Sequence, residues 1–227
     1  MQIANWKVFG TPERTALLRK LVGVCVVWAA LCVQASAQVF TNLVNFNGTN
    51  GQLPWDFLVQ GRDGNLWGPT AGGGAGGYGT VFTMTPDGTL STVHNFDGAD
   101  GGGPEGLVLG TDGDFYANTQ GGGPDVLHTG FIGTTDGVVF KLNGNGTFTL
   151  LNSFGTYFDR ARGGSPYGAL IQGTDGNYYG TTPAGGNSSN CPGGGCGTVF
   201  KITPSGALTT LYDFDTAHGS SPYGGLV

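Results

Sequence analysis

The sequence predicts an all-β protein, a β-propeller-like array of four-stranded antiparallel units with about three and a half repeats. Three observations predict this fold. One eleven-residue segment occurs three times, its flanking segments carry apolar residues at alternate positions, and Asp-Gly pairs and other glycines separate them. Alternation directs one face of each strand into a core, and Gly tolerates the positive φ that hairpin turns need. Helical patterning is absent after residue 37.

Each repeat is expected to contain four strands, named A to D, which are clearest in the third copy. Strand A is Leu170 to Gln172, strand B is Asn177 to Thr182, strand C is Thr198 to Thr203, and strand D is Ala207 to Phe214. The turn Asp175-Gly176 joins A to B. The matching phenylalanines are Phe82, Phe140 and Phe200 in strand C, and Phe46, Phe96, Phe154 and Phe214 in strand D. We expect units at about 47–96, 97–154 and 155–214, and a partial unit at 215–227.

The connections between strands differ in how much their length varies. The strand-C and strand-D phenylalanines are 14 residues apart in all three units. By contrast, the turn Asp and the strand-C Phe are 19, 28 and 25 residues apart in the three units. The D–A connection, from the strand-D Phe to the proline before strand A, spans 8 or 12 residues. In an antiparallel meander the B–C and D–A loops share one edge, which we call the variable-loop face. Insertions on one face of a repeat array often mark its binding side, so we expect the ligand there.

The two ends of the repeat region are incomplete. A lone strand D is predicted at Phe40 to Phe46, and a strand A at Pro222 to Val227. Three full units cannot close a propeller ring, and open sheet edges invite further pairing. We therefore expect either a truncated longer protein, which we favour, or a partial ring that another chain completes.

Residues 1–37 have the pattern of a cleavable signal peptide. Basic residues precede an apolar run of 13 residues, Leu21 to Val33, and Ala35-Ser36-Ala37 supplies the small residues of a cleavage site. The run is too short to span a bilayer as a mature helix. We expect bacterial export, a repeat domain at 38–227 without a membrane span, and a secreted or cell-surface location.

The charge of the chain disfavours nucleic acid as a partner. The formal net charge is −6, and residues 1–37 hold four of the nine basic residues but only one of the 15 acidic ones. The remainder therefore carries a charge near −9. Such a surface repels phosphate backbones.

Two cysteines remain after the signal peptide, Cys191 and Cys196, in the sequence CPGGGC. A close pair in an oxidising compartment predicts a local disulfide. A metal site would need two further soft ligands nearby, which the sequence lacks.

The repeat resembles the GloVer-type tandem repeat of secreted bacterial proteins. That family has the pattern GLVxGxDGNLYGTTxxGG followed by GTVFKxTPxGxLTTLYxF. Residues 169–186 and 196–214 match it best, with ALIQGTDGNYYGTTPAGG and CGTVFKITPSGALTTLYDF. The first two units depart from it at Arg62, Pro69, Thr83 and Ala117-Asn118. The resemblance implies an exported propeller-like protein, and it implies no catalytic residue.

No catalytic site is predicted. The histidines are His94, His128 and His218, and no zinc-protease, nucleophile-elbow or phosphate-loop pattern occurs. The alternative is an extracellular polysaccharide lyase or glycosidase on a propeller scaffold. For that reaction Asp213 and Asp215 are a candidate carboxylate pair.

Candidate ligand-binding residues lie in the longest loops of the variable-loop face. The long D–A loop holds Tyr157, Asp159, Arg160 and Arg162, and the longest B–C loop holds His128. Rings beside carboxylate and guanidinium groups suit sugars or peptides. The predicted function is a non-catalytic binding or surface-structural module, with a carbohydrate or a cell-surface protein as its ligand.

No cofactor is predicted, and calcium is the one candidate metal. The loop Asp97 to Asp100 is the best calcium candidate, although no EF-hand pattern occurs. Turn chemistry accounts for the other Asp-Gly pairs, which begin at Asp63, Asp87, Asp112 and Asp175.

Overall fold

The computed structural model describes residues 39–124, 137–154, 163–187, Ser189, Cys191 and 195–227. Within these residues the chain forms thirteen β-strands and no helix, which confirms the all-β class. The chain divides into two compact units, residues 1–42 and 43–227, and every strand lies in the second. Among the described residues, no helix is long and apolar enough to cross a membrane.

The strands form three antiparallel sheets, and the strands run in the order A, B, C, D across each sheet. The first is β1 (Val59–Gln60), β2 (Leu66–Thr70), β3 (Thr80–Met84) and β4 (Leu90–Asn95). The second is β5 (Gly102–Pro104), β6 (Val108–Leu109), β7 (Phe115–Gly121), β8 (Val138–Leu142) and β9 (Phe148–Ser153), with β5 and β6 both paired to β7. The third is β10 (Ile171–Gln172), β11 (Tyr178–Thr182), β12 (Thr198–Ile202) and β13 (Leu208–Asp213). The predicted four-stranded propeller-like units are confirmed.

The turns between strands A and B form as their Asp-Gly sequences predict. The turn glycines have φ of 83°, 96° and 79°, a left-handed conformation that Gly adopts without a steric cost. In each turn the Asp carboxylate accepts the backbone N–H two residues later, at 3.1–3.2 Å. These contacts are Asp63 with Asn65, Asp112 with Asp114, and Asp175 with Asn177. The side chain and the glycine together fix the hairpin.

Neighbouring units pack through aromatic rings at equivalent positions. The strand-D Phe of one unit meets the strand-C Phe of the next edge to face, with ring centroids 5.0–5.3 Å apart. Strand B adds stacked rings, 4.4 Å apart for Trp67 and Phe115 and 3.9 Å apart for Tyr116 and Tyr178. The edge-to-face pairs are Phe46 with Phe82, Phe96 with Phe140, and Phe154 with Phe200. The repeated phenylalanines therefore form the contacts between units as well as the core within each unit.

The two predicted end strands are not formed. The described residues of 40–46 and of 222–227 lie outside every strand. In the three sheets strand D pairs with strand C, and strand A pairs with strand B. Among the described residues, residues 40–46 have no strand C beside them and residues 222–227 have no strand B. Phe46 nevertheless contacts Phe82 edge to face, as Phe96 and Phe154 contact the strand-C phenylalanines of the units that follow them.

The predicted disulfide between Cys191 and Cys196 is present, with the two Cα atoms 5.6 Å apart. Cys196 is buried next to β12, and its carbonyl accepts the N–H of Ser221 at 2.7 Å. The disulfide therefore ties the B–C loop of the third unit to the start of strand C.

Candidate functional site

A cavity of about 660 Å³ lies where the chain enters strand A of every unit. Its lining comes from residues 55–57 of the first unit, Glu105 and Val108 of the second, residues 167–172 of the third, and residues near the C-terminus. Each D–A connection runs antiparallel beside the end of strand B, through the pairs Gln52 with Gly72, Gly102 with Gly121, and Gly164 with Ala184. One end of the cavity therefore lies on the variable-loop face, and its wall continues along β10 to Gln172.

A turn with a left-handed residue precedes strand A in every unit and is found again at the C-terminal end. Each of these four turns contains a proline, and the residue before that proline has a φ of 51–63°. Only one of these four preceding residues is glycine. A left-handed conformation costs a non-Gly residue about 1–2 kcal/mol, and such strain clusters at ligand sites. The residue after each proline lines the cavity. The four sequences are Leu53-Pro54-Trp55, Gly103-Pro104-Glu105, Ser165-Pro166-Tyr167 and Ser221-Pro222-Tyr223.

Aromatic side chains form the rim of this cavity. Trp55, Phe57, Tyr167 and Tyr223 all line it, and each exposes at least 43% of its surface. The rings of Tyr167 and Tyr223 meet edge to face with centroids 5.3 Å apart. Four exposed rings around one cavity form an apolar surface of the kind that marks ligand grooves.

A buried carboxyl group lies among these rings. Glu105 is only 6% exposed, its backbone N–H is bonded to the carbonyl of Asn118 at 2.9 Å, and its side chain accepts a hydrogen bond from Gln120. Burial raises the pKa of Glu105 to about 7, and the neighbouring Asp56 raises it further through its charge and a hydrogen bond, while the bond from Gln120 opposes the shift. The cavity thus holds a carboxyl group that is largely protonated below neutral pH, next to a second carboxylate.

The pKa of Glu105 predicts how the stability depends on pH. Because the folded state holds its proton up to a pKa of about 7 and the unfolded state releases it near 4.5, the free energy of unfolding falls as the pH rises between these values. At about 1.4 kcal/mol per pKa unit, the wild-type protein should lose about 2–3 kcal/mol relative to Glu105→Gln across this range. Chemical denaturation at a series of pH values measures the difference, and parallel profiles for the two proteins would contradict the prediction.

The candidate calcium loop uses its carboxylates to close a turn. Asp97 accepts the N–H of Ala99 and of Asp100 at 2.9 and 3.2 Å, and Asp100 accepts the N–H of Asp97 and contacts His94 at 2.7 Å. The equivalent loop of the preceding repeat makes the same backbone contacts with the uncharged side chains of Asn47 and Asn50. The loop therefore does not need a charge to fold. Among the described residues, no three His, Cys, Asp or Glu side chains are grouped as metal ligands.

The ligand-binding residues predicted from the sequence are His128, Tyr157, Asp159, Arg160 and Arg162. All five lie outside the described residues, so their role stays a prediction.

The candidate carboxylate pair lies away from the cavity. Asp213 accepts the N–H of Asn187 at 3.2 Å, and Asp215 accepts the N–H of Ala217 and of His218 at 3.0 and 2.7 Å. Neither residue lines the cavity. Both are loop-closing residues.

Sequence reasoning missed the residues that line the cavity. Trp55, Glu105, Tyr167 and Tyr223 share one signal, which is their position directly after a repeated proline. Three of the four side chains are aromatic and the fourth is Glu105, and none of them belongs to the repeated segments from which the strands of the three units were predicted. The shared position after the proline therefore indicates that these residues lie at equivalent places in the repeat.

Three successive antiparallel sheets, two of four strands and one of five, with a cavity at the start of their A strands define a propeller-like repeat protein. The chain belongs to the Gloeobacter/Verrucomicrobia repeat family, whose model matches residues 31–157, more than half of the chain. The predicted resemblance to this repeat is confirmed. No curated protein matches the chain.

Solved structures with a similar arrangement share little sequence with this chain. Virginiamycin B lyase from Staphylococcus aureus is 16% identical, with a TM-score of 0.43, over 72% of this chain and 42% of that one. A gluconolactonase from Xanthomonas campestris is 14% identical, with a TM-score of 0.42, over 72% of this chain and 49% of that one. The chain spans less than half the length of either protein. These likenesses assign no role to any residue here.

Proposed function

We propose that this protein is an exported, non-catalytic carbohydrate-binding module whose ligand lies in the cavity on the variable-loop face. The observation that carries the proposal is the exposed aromatic rim, Trp55, Phe57, Tyr167 and Tyr223, around the carboxyl groups of Asp56 and Glu105. The volume of about 660 Å³ is within the range of small-ligand sites.

The chemistry of the rim supports a sugar ligand. An aromatic ring has a negative face that attracts the C–H groups of a sugar ring, and its flat apolar surface is desolvated on contact. Carboxyl groups between the rings accept hydrogen bonds from sugar hydroxyls, so apolar and polar recognition alternate along the cavity. A proline directly before each of these residues restricts the backbone, and a restricted backbone lowers the entropic cost of binding.

The disulfide supports export. Cys191 and Cys196 are bonded in the structure. Such bonds persist in oxidising compartments outside the cytosol. This is the environment that the predicted signal peptide implies.

Single ring deletions test the proposal. In calorimetric titrations with a panel of oligosaccharides, Trp55→Ala and Tyr167→Ala should each weaken binding by about tenfold or more, which corresponds to about 1.4 kcal/mol. The matched control is Tyr212→Ala, because Tyr212 is 44% exposed on β13 and does not line the cavity. Unchanged affinity in both rim variants, an equal loss in Tyr212→Ala, or no binding to any sugar would contradict the proposal.

One observation favours a catalytic alternative, a glycosidase or lyase acting on extracellular polysaccharide. A carboxyl group with a pKa near 7 beside a second carboxyl group is an arrangement that suits a general acid and its partner. The same titrations therefore include an assay for new reducing ends and unsaturated products. Turnover that Glu105→Gln abolishes while binding persists would identify an enzyme and overturn the non-catalytic proposal.

A further inference from the structure

We infer that the cavity selects a cationic carbohydrate, one whose sugar units carry a protonated amine in place of a neutral acetamide or hydroxyl group. This inference rests on the proposed function, because it names the class of sugar that the same cavity takes. The juxtaposition that carries it is a pair of carboxyl groups, Asp56 and Glu105, in a cavity that four aromatic rings also line.

The charged side chains among the described lining residues of the cavity have one sign. Asp56 and Glu105 are the ionisable acids that line it, and no Lys, Arg or His occurs among its described lining residues. Gln120 is the polar neighbour that β7 supplies to Glu105, and it is uncharged. A carboxyl group with this burial is costly to ionise without a partner of opposite charge. An ammonium group between the two carboxyl groups is that partner, whereas an acidic sugar would be repelled.

The aromatic rim favours the same charge. A cation over the face of Trp, Tyr or Phe is attracted by the ring quadrupole, and the attraction grows when the cation is desolvated. Trp55, Tyr167 and Tyr223 supply rings of this kind beside the carboxyl groups. Rings alone would also accept a neutral sugar. The carboxyl pair is therefore the part of the site that distinguishes a charged amine from an acetamide.

A metal ion fits this cavity less well than an ammonium group. Calcium takes six to eight oxygen ligands and magnesium six, arranged around one point. The described lining supplies two carboxyl groups, and no group of three His, Cys, Asp or Glu side chains occurs among the described residues. Carbon-rich rings surround these two groups, and rings do not ligate hard cations. An organic cation uses both the rings and the carboxyl groups.

Binding of the amine should release a proton. In the free protein at about pH 6 Glu105 is largely protonated, because burial and Asp56 raise its pKa to about 7. A bound ammonium group favours the ionised carboxylate, so the Glu105 proton passes to the buffer as the ion pair forms. A neutral sugar makes no such pair and leaves the proton in place. Proton release thus reports the charge of the ligand at this residue separately from affinity.

The test compares two sugars of equal length, a glucosamine oligomer and its fully N-acetylated form. Titrations at about pH 6 in two buffers with different heats of ionisation give both the affinity and the number of protons released. We expect the amine form to bind about tenfold more tightly and to release a proton, and the acetylated form to release none. Higher salt should reduce the preference, because it screens the ion pair.

Three variants separate the effect of the carboxyl pair from the effect of net charge. Glu105→Gln keeps the side-chain shape and should abolish both the proton release and most of the preference for the amine form. Asp63→Asn makes the same change of net charge at an exposed turn outside the cavity, and it should change neither. Asp56→Asn should weaken the preference for the amine form.

Each outcome decides a different claim. Equal affinity for the two sugars, or tighter binding of the acetylated one, overturns the inference and leaves the proposed function intact if Trp55→Ala still weakens binding. A preference for the amine form that survives in Glu105→Gln also overturns it. No binding of either sugar, or of any other sugar in the panel, overturns the proposed function and the inference together.

Discussion

Replacing Gly137 by alanine is expected to lower the free energy of unfolding by about 3 kcal/mol or more, from the combined costs of a left-handed residue and a steric clash. Gly137 has a φ of 89°, and a Cβ atom there would lie against the backbone carbonyl oxygen of Thr119 on β7. That carbonyl belongs to a paired strand and cannot move aside without breaking the sheet.

The same glycine occurs before strand C in the other two units. Gly79 and Gly197 have φ of 104° and 100°, and a Cβ atom on either would meet the carbonyl of Thr70 or of Thr182. The repeated sequence Gly-Thr/Val-Val-Phe therefore begins with glycine for two reasons, the sign of φ and the close approach of strand B. We expect alanine at either position to have an effect similar to Gly137→Ala.

Gly144→Ala is the matched control for this prediction. Gly144 lies in the turn before β9, is not among the described glycines with positive φ, and has open space around its Cβ position. The substitution should be neutral or stabilise the protein by about 0.5 kcal/mol, because alanine restricts the unfolded chain. Denaturant titrations compare the two variants. If the unfolding free energies of Gly137→Ala and Gly144→Ala differed by less than about 1 kcal/mol, the Gly137 backbone would not be constrained.

The second large effect is expected from Phe140→Ala, which should cost about 3–5 kcal/mol of unfolding free energy. Phe140 is fully buried on β8, and its ring contacts Phe96 edge to face at 5.3 Å and Phe148 in a stacked arrangement at 5.3 Å. Removal of the ring leaves a cavity at a contact between two units as well as inside one unit. Neighbouring backbone in paired strands cannot collapse into that space.

Denaturant titrations measure this loss against two reference variants. Phe140→Leu retains most of the volume and should cost about 1–2 kcal/mol. Tyr212→Ala removes an aromatic ring from the exposed side of β13 and should cost about 1 kcal/mol or less. If Phe140→Ala proved no more destabilising than Tyr212→Ala, the ring contacts between units would not stabilise the fold.

Much of the architecture was predictable because it depends on neighbours in the chain. The turn at Asp175 and Gly176 needs only a side chain that accepts a nearby N–H and a residue that tolerates positive φ. The alternation of Phe200 and Ile202 likewise predicts which face of β12 is buried. The disulfide was predictable from a separation of five residues between its cysteines.

The end strands were mispredicted because strand formation needs a partner. Phe46 lies in the same sequence context as the other strand-D phenylalanines and makes the same ring contact. Its backbone has no strand C beside it among the described residues, so the ladder does not form. Packing of a side chain can be inferred from a local pattern, but a hydrogen-bonded ladder requires a second segment.

By itself the sequence determined the repeat, its four strands, its turns and the face on which loop length varies. Only the tertiary structure decided where the candidate site lies, because 50 residues separate Trp55 from Glu105 and 62 separate Glu105 from Tyr167 along the chain. The turn before each strand A brings them around one cavity. The same folding removes Glu105 from water and places it near Asp56, which raises its pKa. Burial and charge proximity depend on distances through space, and no local pattern of residues encodes them.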